Sequence, residues 1–396
     1  MDIFDSRYYK TNIFYLKLLG LWPFDDFLNK RVRRILIIIA VVSLIIPQVI
    51  RLFEEWGRDI DIVIEVIGSL IYFSGCQIKY LSFLRVEAKM KYLYNKIAEH
   101  WKSLSSKDEI KTLEEYGEIG RGLTLGYIIP INIILVIYIS LPLLPLLLDV
   151  IDPQNETRPK QFPYFAEYFI DDQKYYFELT IHGWIVCILS VQIYGTFDTT
   201  YTQCVQHACG LFGIVEQRLK KATKLASSNE FSTLEEKDEK VYDKFFTKLT
   251  SSFFTTCRFV NLIEDCYSFS YFFVVTLNTA VVSLAAVDTM LNLENGNTKQ
   301  MVRIGALYIG FSFHLLYNMS PGQRVIDSST NIQNAAFHCD WFNASSKTKT
   351  LIRIIMLRSL TPCQFTAGKL IVLHLESFAF VFKNSISYVT VVGSMR

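Results

Sequence analysis

Long stretches of this chain carry no formal charge, and their lengths set the first expectation. Gly122–Leu148 runs 27 residues without a charge, Cys266–Val287 runs 22, Ile304–Gln323 runs 20 and Leu179–Phe197 runs 19. An apolar run of about 18 or more is long enough to cross a bilayer as a helix. Three weaker blocks join them. Ile35–Ile50 follows the basic cluster Lys30, Arg31, Arg33 and Arg34. Ile62–Leu84 is interrupted by Glu65 and Lys79, and Leu370–Val392 by Glu376 and Lys383. The pattern predicts an all-α membrane protein with seven transmembrane helices. Residues 1–34 hold charges every few positions and no apolar core, so the first span is expected to insert as an uncleaved anchor.

The distribution of Lys and Arg orients these spans. With the amino terminus in the cytosol, residues 1–34, 85–123, 208–262 and 318–368 place 29 of the 40 basic residues inside, against 6 outside. Seven spans then leave the carboxyl terminus extracellular, the reverse of a G-protein-coupled receptor. The predicted organisation is a cytosolic amino terminus (1–34), helices one to six (35–317), a cytosolic anchor region (318–368), and a seventh helix with the extracellular end (369–396). Within 35–317 lie an outer-loop lid at 149–178 and a cytosolic helical segment at 208–262. Leu225–Asp238, rich in Ser and Glu, reads as a loop, and Thr330–Leu360 reads as helical up to Pro362.

Composition removes other classes. Hydrophobic residues make up 51 % and the net charge is +2, so no basic field points to nucleic acid. The eight cysteines avoid the outer loops 51–61, 149–178 and 288–302, and free thiols are expected. No CxxC pair marks a metal site, the six histidines are scattered, and no GxSxG suggests an enzyme. Neither cofactor nor metal is expected. Asn155-Glu156-Thr157 is a candidate glycosylation site in the outer loop. That loop carries seven carboxylates and many aromatics, fitting either a folded lid or a gate over a ligand entrance.

The last span carries the sharpest pattern. Glu376 and Lys383 are seven residues apart, two turns on one face. They could pair, bond a neighbouring helix, or line a water-filled path. Asn384, Ser387, Val391 and Ser394/Met395 recur at spacings of three and four. This stripe suits a pore-lining helix with an apolar constriction. It suits small-residue helix packing equally.

The run Leu357-Arg358-Ser359-Leu360-Thr361-Pro362-Cys363-Gln364-Phe365-Thr366-Ala367-Gly368-Lys369 resembles the carboxyl-terminal signature of the insect odorant receptors, in hymenopteran style. Glu376-Ser377-Phe378, Lys383–Tyr388, Ala336, Cys339-Asp340-Trp341 and Glu167-Tyr168-Phe169-Ile170-Asp171 are similar to the same family; Ile386 and Val389 depart from many of its members. The resemblance implies a subunit of a ligand-gated, non-selective cation channel. It implies a heterotetramer with the odorant receptor co-receptor, assembled through the cytosolic helices in the plasma membrane of olfactory neuron dendrites. The co-receptor's extended second cytosolic loop is missing here, so the chain resembles the odorant-tuned subunit. Carried over by position, the gate falls at Val391 with Met395 one turn outward, and Ser387 and Ser394 line the same path. A small volatile ligand would meet Tyr72 and Phe73 on helix two, Leu135 and Tyr138 on helix three, Ile185 and Leu189 on helix four, and Tyr308 and Phe311 on helix six. His182 is expected to be a satisfied structural histidine and Asp198 to bond a neighbouring helix. Membrane lipid is the remaining partner. A gustatory-type homomeric channel is the alternative, although its Thr-Tyr and Gln-Phe ending is missing. A G-protein-coupled receptor fits less, because the Asp/Glu-Arg-Tyr and Asn-Pro-x-x-Tyr patterns are also missing.

Overall fold

Without water as a partner, an apolar segment must satisfy its backbone internally, and helices do this within one segment. In the computed structural model, which describes residues 3–151, 158, 160, 162, 164–227, 236–294, 298–339, 341–343 and 345–394, the apolar runs are indeed helical. The helices are α1 (Lys10–Leu18), α2 (Phe27–Glu55), α3 (Ile60–Arg85), α4 (Glu87–Ser103), α5 (Lys107–Ser140) and α6 (Leu144–Ile151). They continue with α7 (Tyr176–Ser227), α8 (Glu236–Glu294), α9 (Thr298–Phe337), α10 (Ser346–Ser359) and α11 (Leu375–Ser394). Among the described residues, five helical stretches are long and apolar enough to cross a membrane: Phe27–Glu55, Ile62–Arg85, Lys107–Ile151, Tyr176–Lys221 and Asp243–Ala286. The sixth and seventh apolar blocks of the sequence fall in α9 and α11.

Two boundaries differ from the sequence reading. Thr330–Leu360 is not one helix: α9 ends at Phe337, a 3-10 turn covers Trp341–Asn343, and α10 starts at Ser346. Ser345 supplies the reason. Its Oγ caps α10 by accepting from the Thr348 amide (3.1 Å) and donates to Asp243 of α8 (2.6 Å), a local bond that competes with continuing the helix. The block Leu370–Val392 opens as strand rather than helix. β1 (Thr366–Ala367) pairs antiparallel with β2 (Ile371–Val372), Thr366 opposite Val372. The turn residues Gly368 and Lys369 both hold φ 61°, the left-handed geometry a tight hairpin needs. The helix begins after His374, whose Nδ1 accepts the Ser377 amide at 3.1 Å. Of the loop expected at Leu225–Asp238, residues 228–235 lie outside the described residues, and helix covers both flanks.

The chain divides into two compact units. The first comprises Met1–Lys10, Ala88–Gly122 and Tyr201–Arg396. Its core is aromatic: Tyr201 packs against Tyr267, Tyr271 and Phe365 with ring centroids 4.8–5.6 Å apart. A polar chain ties the amino-terminal segment into it. The indole of Trp101 can only donate, so Tyr9 accepts from it (3.2 Å) and donates to His207 Nδ1 (3.2 Å). His207 Nε2–H then donates to His100 Nδ1 (3.1 Å), which sets both tautomers. Burial pushes the His100 pKa down to about 4. The hairpin is anchored here too, with the Gly368 amide donating to the Ser268 carbonyl at 2.9 Å. All eight cysteines are free and buried. Cys257 and Cys363 touch at 3.7 Å. The contact with Cys257 and the neighbouring Arg358 guanidinium hold the Cys363 thiol below its ordinary value.

The second unit comprises Thr11–Glu87 and Leu123–Thr200. Glu87 clamps the start of α2 through Lys30 (2.7 Å) and Arg34 (2.9 Å). Hydrogen bonding from Arg34, then Lys30, holds its carboxyl below the usual range. Asn12 of α1 bonds Thr199 of α7 (3.1 Å) and accepts from Thr124 of α5 (3.4 Å).

Candidate ligand site and pore helix

The second unit contains a cluster of apolar and aromatic side chains drawn from four elements. Val41 and Leu44 of α2, Phe73 of α3, Leu135 of α5, and Val186 and Cys187 of α7 are buried together. Tyr164, from the segment before α7, closes it, and Tyr72, Tyr138, Tyr168 and Val191 pack around it. Tyr72 and Phe73 meet edge to face at 5.2 Å, the geometry that aromatic quadrupoles favour.

The segment before α7 is held down by specific bonds. Tyr164 donates to the Leu179 carbonyl (3.1 Å), the Glu167 amide to the Pro47 carbonyl (3.0 Å), and Arg51 pairs with Glu167 (3.5 Å). His182 is satisfied on both nitrogens. The single Ser43 hydroxyl proton goes to the Ala40 carbonyl (2.8 Å), so His182 Nε2–H donates to Ser43 Oγ (2.8 Å). Its Nδ1 then accepts from the Tyr168 hydroxyl (3.1 Å). Asp198 bonds a neighbouring helix, through Lys79 of α3 at 2.6 Å.

Four of the eight residues expected around a ligand, Tyr72, Phe73, Leu135 and Tyr138, come together in this cluster. Leu189 is half-buried and Ile185 is 50 % exposed, and neither is among the side chains of the cluster. Val186 and Cys187 take the inward positions on α7, and sequence reading missed them because one residue turns a helix by about 100°. Tyr164 and Tyr168 belong to the aromatic outer-loop run, which was the signal available for them. Tyr308 and Phe311 lie on α9 in the first unit, both half-buried. Tyr308 stacks on Phe382 of α11 at 5.9 Å and reaches Ser385 at 3.5 Å.

On α11, Ser387 is exposed and donates to the Lys383 carbonyl (3.0 Å), Ser385 is buried, and Glu376 and Lys383 are exposed. His374 lies 3.6 Å from Glu376. Val391 and Ser394 are in the last turns of the helix; Met395 and Asn155 lie outside the described residues. Among the described residues no group of three or more His, Cys, Asp or Glu is placed to hold a metal.

A family model described as 7tm Odorant receptor matches residues 59–386. The chain belongs to the insect odorant receptor family. It is similar to the odorant receptor coreceptor of Harpegnathos saltator, 24 % identical over 139 residues, which is 35 % of this chain and 29 % of that protein. It is also similar to odorant receptor 49a of Drosophila melanogaster, 37 % identical over 59 residues, 15 % of each chain. The chain thus spans less than a third of the length of the curated relatives it matches. The fold extends much further. The olfactory receptor OR5 of Machilis hrabei in complex with eugenol superposes with a TM-score of 0.77, covering 98 % of this chain and 97 % of that one at 15 % identity. A second structure of the same receptor gives 0.74 at 16 % identity. Neither the family nor these neighbours are enzymes. The chain is an insect odorant receptor homologue of the helical, multi-pass membrane type.

Proposed function

We propose that this chain is the odorant-binding subunit of a ligand-gated, non-selective cation channel. Its partner is the odorant receptor co-receptor, in a plasma-membrane heterotetramer. The observation that carries the ligand role is the aromatic cluster of Tyr72, Phe73, Leu135 and Tyr138 closed by Tyr164 and Tyr168. Apolar walls with a few hydroxyls suit a small, mostly apolar volatile. The related Machilis hrabei receptor was solved with such a molecule, eugenol. The basic-residue asymmetry supports seven spans with the amino terminus inside and the carboxyl terminus outside. Exposed Phe337 and Phe342 at the α9–α10 junction, and Leu357 and Leu360 at the far end of α10, supply apolar surface for subunit association.

Ligand occupancy opens the pore only if the open arrangement binds the ligand better. Tyr308 is read as a ligand-sensing residue of α9 with Phe311, and its contacts with Phe382 and Ser385 supply a route to α11. Outward movement of α11 then carries Val391 off the axis, and hydrated cations pass between Ser387, Ser394 and Met395. Glycosylation at Asn155 belongs to the same topology.

Two substitutions test the scheme. Val391→Ala is expected to raise the resting current, and an unchanged leak with unchanged gating would count against the gate. Tyr308→Ala is expected to shift agonist potency at constant conductance; altered conductance with normal potency would refute its role.

A further inference from the structure

Beneath the aromatic cluster, the second unit buries a full ion pair. Lys79 of α3 and Asp198 of α7 have no exposed side-chain surface and meet at 2.6 Å. Tyr127 of α5 donates to the other carboxylate oxygen at 3.1 Å. Charges inside a membrane-spanning bundle are costly. A buried pair can usually be replaced by apolar side chains of similar volume without loss of stability. Stability alone therefore does not explain it.

The surroundings of the cation do. Lys79 Nζ sits 4.3 Å from the centroid of the Tyr194 ring, within cation–π range. Tyr194 stacks on Tyr72 with centroids 5.0 Å apart and planes 18° from parallel. Its hydroxyl donates to the Tyr72 carbonyl at 3.0 Å. Gly75 makes that approach possible, since a Cβ there would lie 2.6 Å from the Tyr194 hydroxyl. Tyr72 and Lys79 are two turns apart on one face of α3, and Tyr194 and Asp198 one turn apart on α7. The two helices are thus matched at two levels, ion pair below and aromatic stack above. A contact chain runs from Asp198 through Lys79 and Tyr194 to Tyr72, which packs against the cluster.

We propose that Lys79 and Asp198 are positioning residues for the ligand wall: the pair holds the face of Tyr194, and through it Tyr72, in the orientation a ligand meets. This rests on the reading of the Tyr72 cluster as the ligand site. An apolar pair would fill the same volume but present no cation to the ring, so its effect separates positioning from packing.

The test is the double variant Lys79→Met/Asp198→Leu, expressed with the co-receptor and compared with wild type and Lys79→Arg. Surface labelling reports folding, cryo-electron microscopy reports the stack, and whole-cell and single-channel recordings with eugenol, 1-octanol and hexyl acetate report potency and conductance. Surface labelling within twofold of wild type is expected, with the Tyr72–Tyr194 stack lost. Half-maximal concentration is expected to rise at least tenfold for each probe that activates wild type, at unchanged conductance. Lys79→Arg, which keeps the cation, is expected within threefold of wild type. A retained stack, or normal potency at normal surface level, would overturn the proposal. Should the double variant not reach the surface, Tyr127→Phe decides: a potency shift of more than threefold, beyond that of Lys79→Arg, supports positioning, and a smaller one overturns it. A wild-type complex silent to all three probes would instead overturn the ligand-site reading, leaving the stack to decide the role of the pair.

Discussion

Helix α7 has two kinds of surface along one continuous backbone. In its first part, within the second unit, Ile181 is 52 % and Ile185 50 % exposed, while Thr180, Ser190, Thr196 and Asp198 are buried. In the first unit, every residue from Tyr201 to Phe212 is buried, and Thr202, Gln203, Gln206 and His207 are buried with apolar neighbours. The first part leaves large apolar side chains open, which suits a lipid-facing helix and is costly in water. The second is enclosed on all sides, as a helix at the centre of a packed bundle is. What differs is the medium each surface meets. Both parts of α7 bury polar groups: Asp198 in the first part enters a buried ion pair with Lys79, and His207 in the second enters a hydrogen-bonded chain with Tyr9 and His100.

The contrast can be broken at several points. Lys79→Ala leaves Asp198 buried without its partner, and a loss of about 3–5 kcal/mol is expected, seen as collapse of surface labelling. Phe212→Ala in the enclosed part of α7 is expected to cost a similar 3–5 kcal/mol by opening a cavity. Ile185→Ala, on the open part, should stay within about 0.5 kcal/mol. The two midpoints, read by heating solubilised protein before size exclusion, should separate widely; equal shifts would remove the distinction.

Smaller effects sharpen it. Tyr9→Phe strips His207 of its donor and Trp101 of its acceptor, at an expected cost of about 1–3 kcal/mol in the same assay. Gly368→Ala places a Cβ 2.8 Å from Phe272 at φ 61°, with an expected loss of about 1–2 kcal/mol. His100 supplies a pH signature. Its folded pKa lies near 4, below the ordinary value of 6.5, so the unfolded chain takes up the proton first as pH falls. Stability is fully present above pH 6.5 and declines toward pH 4, and His100→Gln should flatten that decline in midpoints measured across the window.

Much of the helical layout was legible because uncharged length is a direct consequence of bilayer thickness. Residues such as Gly122–Leu148 and Cys266–Val287 carry it without reference to anything distant. Candidate wall residues were legible where helical phase and aromatic character agreed, as at Tyr72, Phe73 and Tyr138. Ile185 shows the limit: apolar character is the same on a lipid-facing and an inward-facing position, so α7 could be phased only by its neighbours. Asp198 was expected to bond another helix, but Lys79 as its partner, 119 positions away, follows from packing rather than local pattern. The hairpin before α11 was hidden for another reason. Ile371 and Val372 are as apolar as the helix that follows, and what sets them apart is the left-handed Gly368-Lys369 turn before them, which folds them back onto Thr366 and Ala367.

The central claim is that this chain senses a volatile as one subunit of an ion channel. The most direct measurement is whole-cell current under a volatile panel, from this chain expressed with and without the co-receptor, with G-protein signalling blocked. The account predicts rapid currents that require the co-receptor, survive the block and reverse near zero. Currents abolished by the block, or from this chain alone at full size, would contradict it, the latter pointing to a self-sufficient homomer.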